Sequence, residues 1–175
     1  MLHSGYRVGR GDTIILESCE YRNSFLYFFP TVAVVLNVEA DHLDFFKDLD
    51  DIKASFRRFA QLTAENDYIV ANADDPGAMD ALKGLPLFTF GCQEGADCRA
   101  ENLVWRYGRP EFDVVVKGEV YTHLTLQVAG RHNLSNALAA ASAAYVLGVP
   151  SRAVRLGLEG FFGAGRRFEY KGICR

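Results

Sequence analysis

At 175 residues, with 49% apolar and 23% charged side chains, the chain is long enough to bury one core and too apolar to be disordered. A formal net charge of -3, from 19 basic and 22 acidic residues spread along the chain, excludes a basic face for nucleic acid or for an anionic membrane. No run reaches the roughly 18–20 apolar residues of a membrane span, no secretory signal follows Met1, and the four cysteines form no CxxC pair, so a soluble cytoplasmic protein with reduced thiols is expected.

Residues 1–12 are polar and glycine-rich, without helix or strand period. Thr13-Ile-Ile-Leu-Glu17 reads as a short buried strand, and Thr31-Val-Ala-Val-Val-Leu-Asn37 as a strand covered on both faces. Residues 67–72 and 85–90 repeat that character. Between the second and third strands, Ile52, Phe56, Phe59 and Leu62 recur at helical spacing, with Asp50 or Asp51 suited to start the helix. Asp75-Pro76 begins a second helix through Leu82. Strands alternating with helices argue for an α/β fold, a mainly parallel sheet flanked by helices.

After Gly91 the pattern changes. Segments around 102–107, 112–116 and 121–128 alternate polar and apolar residues and are split by Gly108, Pro110 and Gly118, predicting a small, separate antiparallel sheet with one wet face. An alanine-rich helix follows over 133–147, stopped by Gly148 and Pro150, and Ser151 is placed to cap a last helix to about Glu159. Residues 160–172 are a glycine- and arginine-rich exit.

Acidic residues gather where the first two expected strands end: Glu17 and Glu20 after one, and Glu39, Asp41, His42 and Asp44 after the other. In an open α/β sheet, ligands bind outside the carboxyl ends of the strands. Glu20 and His42 would converge there on a divalent cation, whereas Glu39 and Asp44 read as cap and loop residues. On ligand type alone, an imidazole points to Mn²⁺ or Zn²⁺ rather than Mg²⁺.

Asn37-Val-Glu-Ala-Asp-His-Leu-Asp44 resembles the N-x-x-x-D-H-x-D segment of the Mur ligases, ATP-dependent enzymes that add amino acids to the peptidoglycan precursor of the cell wall. Glu17-Ser-Cys-Glu-Tyr-Arg-Asn-Ser-Phe-Leu26 resembles the E-x-x-E-x-x-x-S-F-L segment of the alanine-adding branch. Asn72-Ala-Asp-Asp-Pro76, Gly130-Arg-His-Asn-Leu-Ser-Asn-Ala137 and Gly163-Ala-Gly-Arg-Arg-Phe168 resemble three further family segments in the same order.

The resemblance implies the central, ATP- and Mg²⁺-handling domain of such a ligase over residues 1–172, without its N-terminal phosphate-loop part. Residues 173–175 would begin the hinge to a C-terminal domain. Glu20 and His42 match the Mg²⁺ positions; His132, Asn133 and Asn136 a segment that meets adenine; Arg167 a basic residue near the nucleotide; and Asp75 a loop near the ribose. Ser24 and Asn37 fall in segments toward the muramyl substrate. Asn133 reads equally as a helix N-cap, and Asp75 as a turn and helix cap.

The implied partners are UDP-N-acetylmuramate and L-alanine, joined through an acyl phosphate, together with the flanking N- and C-terminal domains. No G-x-x-x-x-G-K-[ST] loop occurs in the chain, so the chain alone is expected to lack turnover. Three departures stand out: Tyr27 where relatives have histidine, Cys19 at an often acidic position, and Arg57 where several members have a carbamylated lysine. Other readings are a tripeptide-recycling member, a non-catalytic homologue, and a metallohydrolase built on Glu20, Asp41, His42 and Asp44.

Overall fold

The β-branched run after Pro30 forms β1 (Val32–Val35), the edge of a six-stranded sheet. A computed structural model describes residues 6–65 and 67–164. In chain order there follow α1 (Leu49–Ala60), β2 (Tyr68–Asn72), α2 (Pro76–Ala81), β3 (Leu87–Gly91), β4 (Cys98–Arg106), β5 (Arg109–Val116), β6 (Glu119–Thr125), α3 (Arg131–Val146) and α4 (Ser151–Glu159). Strand order equals sequence order. β1 to β4 pair in parallel, and β4 to β6 pair antiparallel.

Side-chain alternation divides the parallel strands between two cores. Val35, Ile69 and Ala71 face α1 and α2, where Ile52, Ala78 and Leu82 complete a cluster with Phe46. Val70, Phe88 and Phe90 face the opposite way, onto Leu134, Leu138 and Ala141 of α3. Phe112, Val114 and Leu124 of the antiparallel strands join this second cluster. The other face of that ribbon carries Glu111, Asp113 and His123, with His123 Nδ1 2.8 Å from Asp113 Oδ1.

Four expectations need correction. The antiparallel strands are not a separate sheet: Phe90 pairs with Cys98 and Gly91 with Arg99, so β4 extends the parallel sheet and α3 covers the junction. Thr13–Glu17 lies outside any strand, with Ile14 80% and Ile15 91% exposed. An apolar run becomes a strand only with a neighbour for its backbone groups, and no described strand pairs with it. Asp48, not Asp50 or Asp51, caps α1, its carboxylate accepting from the Asp51 N–H at 3.0 Å. Pro150 precedes α4 as its cap residue, and Ser151 makes no capping bond.

Cys98 sits fully buried at that junction, and burial pushes its thiol from the ordinary 9.0 to about 11. The native state therefore keeps a proton that the unfolded chain releases near pH 9. Stability from this group is complete below that pH and falls as pH rises toward about 11, by about 2–3 kcal/mol. Urea midpoints measured across this window should decline less steeply in Cys98→Ala than in the parent chain. Equal slopes would contradict the assignment.

Candidate metal and nucleotide site

Glu20 reaches its position through the segment that follows it. Tyr21–Tyr27 forms 3-10 turns with Arg22 and Asn23 in the left-handed region, at φ 54° and 58°. Phe25 anchors the segment: it is 2% exposed, stacks on Phe59 of α1 at 4.7 Å between ring centroids, and meets Phe56 edge-on at 5.2 Å. The buried Ser55 hydroxyl of α1 donates to Asn23 Oδ1. Two aromatic contacts and this bond offset the strain of two left-handed residues, each costing about 1–3 kcal/mol.

His42 comes from the loop after β1. It too is left-handed, at φ 52°, and its carbonyl accepts from the N–H groups of Phe45 (2.9 Å) and Phe46 (3.0 Å). Phe46 is buried in the α1–α2 core and holds the turn down. The Tyr21 ring lies 4.7 Å from the imidazole, and the Tyr21 hydroxyl donates to Asp44 Oδ2 at 2.9 Å.

The result is a convergence of ligand atoms. His42 Nε2 lies 3.4 Å from Glu20 Oε1, and Asp41 joins them so that one ligand atom from each lies within 4.8 Å of the others. The resemblance named Glu20 and His42 for the metal, with Cys19 where a second carboxylate is often found, and Asp41 entered only the metallohydrolase reading. Asp41 supplies a second one. Asp44 is engaged by Tyr21 instead, and Glu39 Oε1 accepts from the Asn37 amide at 2.7 Å. Two carboxylates and an imidazole, half-exposed, suit a divalent cation that keeps water in its other positions. Glu20, Asn37, Glu39 and Asp41 line a pocket of about 190 Å³ beside the cluster.

The loops after β2 and β3 continue the same edge. Asp75 Oδ1 accepts from the N–H groups of Ala78 (2.6 Å) and Val38 (3.1 Å), capping α2 and clasping the β1 loop to it. The Asn72 amide donates to the Leu36 carbonyl at 2.9 Å and lies 3.5 Å from Ser135 Oγ of α3. Asp74 accepts from the N–H groups of Cys92 (2.6 Å) and Gln93 (3.1 Å) and fixes the turn after β3.

The α3 start differs from the sequence reading. Gly130, at φ 101° and ψ 151°, is its cap residue, so Asn133 lies inside the first turn and is not the N-cap. The Asn133 amide donates to the Ala129 carbonyl at 2.7 Å. His132 folds over Gly130, where a Cβ would meet its Cε1 at 2.6 Å. Asn136 is exposed on the same helix. His132, with Asp74, Cys92 and Trp105, lines a second cavity of about 620 Å³.

Ser24 is exposed, its hydroxyl donating to the Tyr21 carbonyl at 2.7 Å. Arg57 donates to the carbonyls of Ala81 (3.3 Å) and Lys83 (2.8 Å), closing the end of α2. Lys53 pairs with Asp80 at 2.7 Å. Neither side chain reaches toward the cluster by any of these bonds. Arg167 lies outside the described residues. Among the described residues, no helix is long and apolar enough to cross a membrane.

Comparison with known proteins gives a consistent result. The UDP-N-acetylmuramate–L-alanine ligase of Clostridium novyi is 44% identical over 174 residues, covering 98% of this chain and 38% of that protein. The enzyme of the same name from Clostridium perfringens is 41% identical, again over 98% of this chain and 38% of its own length. The chain thus spans less than half of the relatives it matches. Among solved structures, UDP-N-acetylmuramate–alanine ligase from Thermotoga maritima superposes with a TM-score of 0.72 at 27% identity, over 86% of this chain and 33% of that one. MurF from Acinetobacter baumannii gives 0.73 at 25% identity, over the same shares. Residues 7–144 match the Mur ligase middle domain, and the chain belongs to that family.

Proposed function

We propose that this chain is the nucleotide- and metal-handling domain of an ATP-dependent cytoplasmic ligase that joins L-alanine to UDP-N-acetylmuramate in peptidoglycan precursor synthesis. The observation that carries the site is the approach of Glu20 and His42 to 3.4 Å, with Asp41 beside them, at the carboxyl end of a parallel sheet. The relatives' names carry the choice of substrates. The domain would be residues 1–172, with a hinge beginning near residue 173 and further domains on either side in the whole ligase.

In this reading Glu20, His42 and Asp41 hold Mg²⁺ on the phosphate side. A bound cation supplies positive charge to the transferring phosphoryl group and thereby favours the acyl phosphate from which the amine displaces phosphate. The chain's own contribution is orientation. Tyr21 packs against His42, with 4.7 Å between the ring centroids, and so limits how the imidazole can turn beside Glu20. Asp75 ties the β1 and β2 loops together beside the ribose position. His132, Asn133 and Asn136 serve the adenine side, Arg167 the nucleotide charge, and Ser24 and Asn37 the muramyl side. Among the described residues there is one metal-capable cluster, which disfavours a two-metal hydrolase.

Calorimetry with and without Mg²⁺ tests this. Without a G-x-x-x-x-G-K-[ST] loop in the chain, ATP affinity should be on the order of millimolar, and it should fall further when the cation is removed. ATP binding indifferent to Mg²⁺, or no binding at all, would sink the reading.

A further inference from the structure

The ligand groups of the metal cluster come from two separate segments. Glu20 stands at the start of the 3-10 segment Tyr21–Tyr27, whereas Asp41 and His42 belong to the loop after β1. Two carboxylates at one point repel each other, so something other than the ion has to hold the segments together before a cation arrives. Tyr21 is placed to do this. It follows Glu20 directly in the chain, and its side chain meets three residues of the other loop. The ring centroid is 4.7 Å from that of His42 and 6.1 Å from that of Phe45, and the hydroxyl donates to Asp44 Oδ2 at 2.9 Å.

Both ends of Tyr21 are fastened. On the backbone side, the Glu20 carbonyl accepts from the Asn23 N–H at 2.8 Å and the Cys19 carbonyl from the Phe25 N–H at 3.0 Å. Asn23 Oδ1 in turn accepts from the Ser55 hydroxyl, and Phe25 stacks on Phe59, so this turn is tied to α1. At the far end, Asp44 holds the phenol oxygen, and the Arg22 guanidinium lies 5.5 Å from the ring centroid. The β1 loop is thereby linked, through Tyr21, to a segment that cannot drift from α1.

We propose that Tyr21 is a positioning residue that stiffens the spacing between Glu20 and His42, and that it thereby favours a small octahedral cation over Ca²⁺. The proposal rests on the metal reading above. Mg²⁺ demands near-ideal six-fold geometry at roughly 2.0–2.1 Å, whereas Ca²⁺ accepts irregular shells of oxygen at roughly 2.3–2.6 Å. A spacing held by the protein suits the first ion. Two loosely joined segments would adjust to the second, which also draws on the carboxylates rather than on the imidazole. Tyr21 acts through the residues it orders. The ring lies against His42, whereas the hydroxyl is bonded to Asp44, so the ring should matter more than the hydroxyl.

The test compares the parent chain with Tyr21→Ala, Tyr21→Leu and Tyr21→Phe. Mn²⁺ affinity is read from free Mn²⁺ by electron paramagnetic resonance, and Mg²⁺ and Ca²⁺ affinities by competition against Mn²⁺, with urea midpoints measured alongside. Tyr21→Ala should weaken Mn²⁺ and Mg²⁺ by roughly 3- to 10-fold, the cost of ordering a loosened ligand side chain on binding. Ca²⁺ should weaken by less than about twofold on the same grounds, so the ratio of Mn²⁺ to Ca²⁺ affinity falls. Tyr21→Leu fills space without a flat ring; it should keep the parental urea midpoint and show the same fall in ratio, even if Tyr21→Ala unfolds. Tyr21→Phe, which keeps the ring, should stay within about twofold of the parent for all three ions. An equal loss for all three ions in Tyr21→Leu, unchanged Mn²⁺ affinity in that variant, or a Tyr21→Phe no better than it would overturn the positioning proposal and leave the metal reading intact. Absence of Mn²⁺ binding by the parent chain would overturn both.

Discussion

Glu20→Ala should weaken binding of Mn²⁺, used as a paramagnetic stand-in for Mg²⁺, by about tenfold or more, and His42→Ala by a similar factor. Three groups converge on one point, and removing either of these leaves two donors to compete with water for a hydrated cation. Asp41→Ala should fall between these variants and the parent. Its side chain is 74% exposed, and its Oδ1 also accepts from the His42 N–H at 2.7 Å. Asp44→Ala is the control. Its carboxylate is only two residues from the histidine, but it faces the Tyr21 hydroxyl rather than the cluster. Free Mn²⁺ measured by electron paramagnetic resonance gives the four affinities. Equal losses in Glu20→Ala and Asp44→Ala would mean that diffuse negative charge, and not this set of ligands, attracts the ion.

The largest loss of stability is expected from Gly77→Ala, by about 3–5 kcal/mol. A Cβ at residue 77 would sit 2.1 Å from the Val38 carbonyl oxygen and 3.1 Å from its carbon. Both are backbone atoms and cannot turn aside as a side chain could. Relief requires parting α2 from the loop after β1, which stretches the bond from the Val38 N–H to Asp75. Overpacking costs about 1–3 kcal/mol, and each hydrogen bond to a charged group adds about 1.5–3 if lost. The same clasp holds the loop carrying Asp41 and His42, so Mn²⁺ affinity should fall together with the urea midpoint. A variant with parental stability would show that the two loops do not depend on this close approach.

Much of the candidate site was legible because ligand types and their neighbours are local. Acidic residues and one histidine following expected strands pointed to the sheet edge where Glu20, Asp41 and His42 come together, and the order of short motifs marked the family. Asp41 was harder. Nothing in an acidic loop says which carboxylate lies beside the histidine and Glu20, and the answer came from the left-handed turn at His42 and from Tyr21 taking Asp44. Asn133 reads as a possible cap in the sequence because it stands at the start of the alanine-rich run over 133–147. The helix starts earlier, since Gly130 can adopt a backbone shape closed to other residues.

The sequence by itself determined what depends on nearest neighbours and on periodicity: the β-branched runs of β1 and β2, the helical spacing of α1, the Asp75-Pro76 start of α2, and the alternation that gives β4 to β6 one wet face. Tertiary structure decided everything that needed a partner. Thr13–Glu17 has the composition of a strand but no described strand pairs with it, while β4 found one in β3 and joined two expected sheets into one. Trp105 moved from the wet face to a cavity because one residue was inserted in the ladder, a change that alternation alone cannot reveal. Hydrophobic pattern specifies that a face is to be buried; which element buries it, and in what register, is set by backbone hydrogen bonds closed across long stretches of chain.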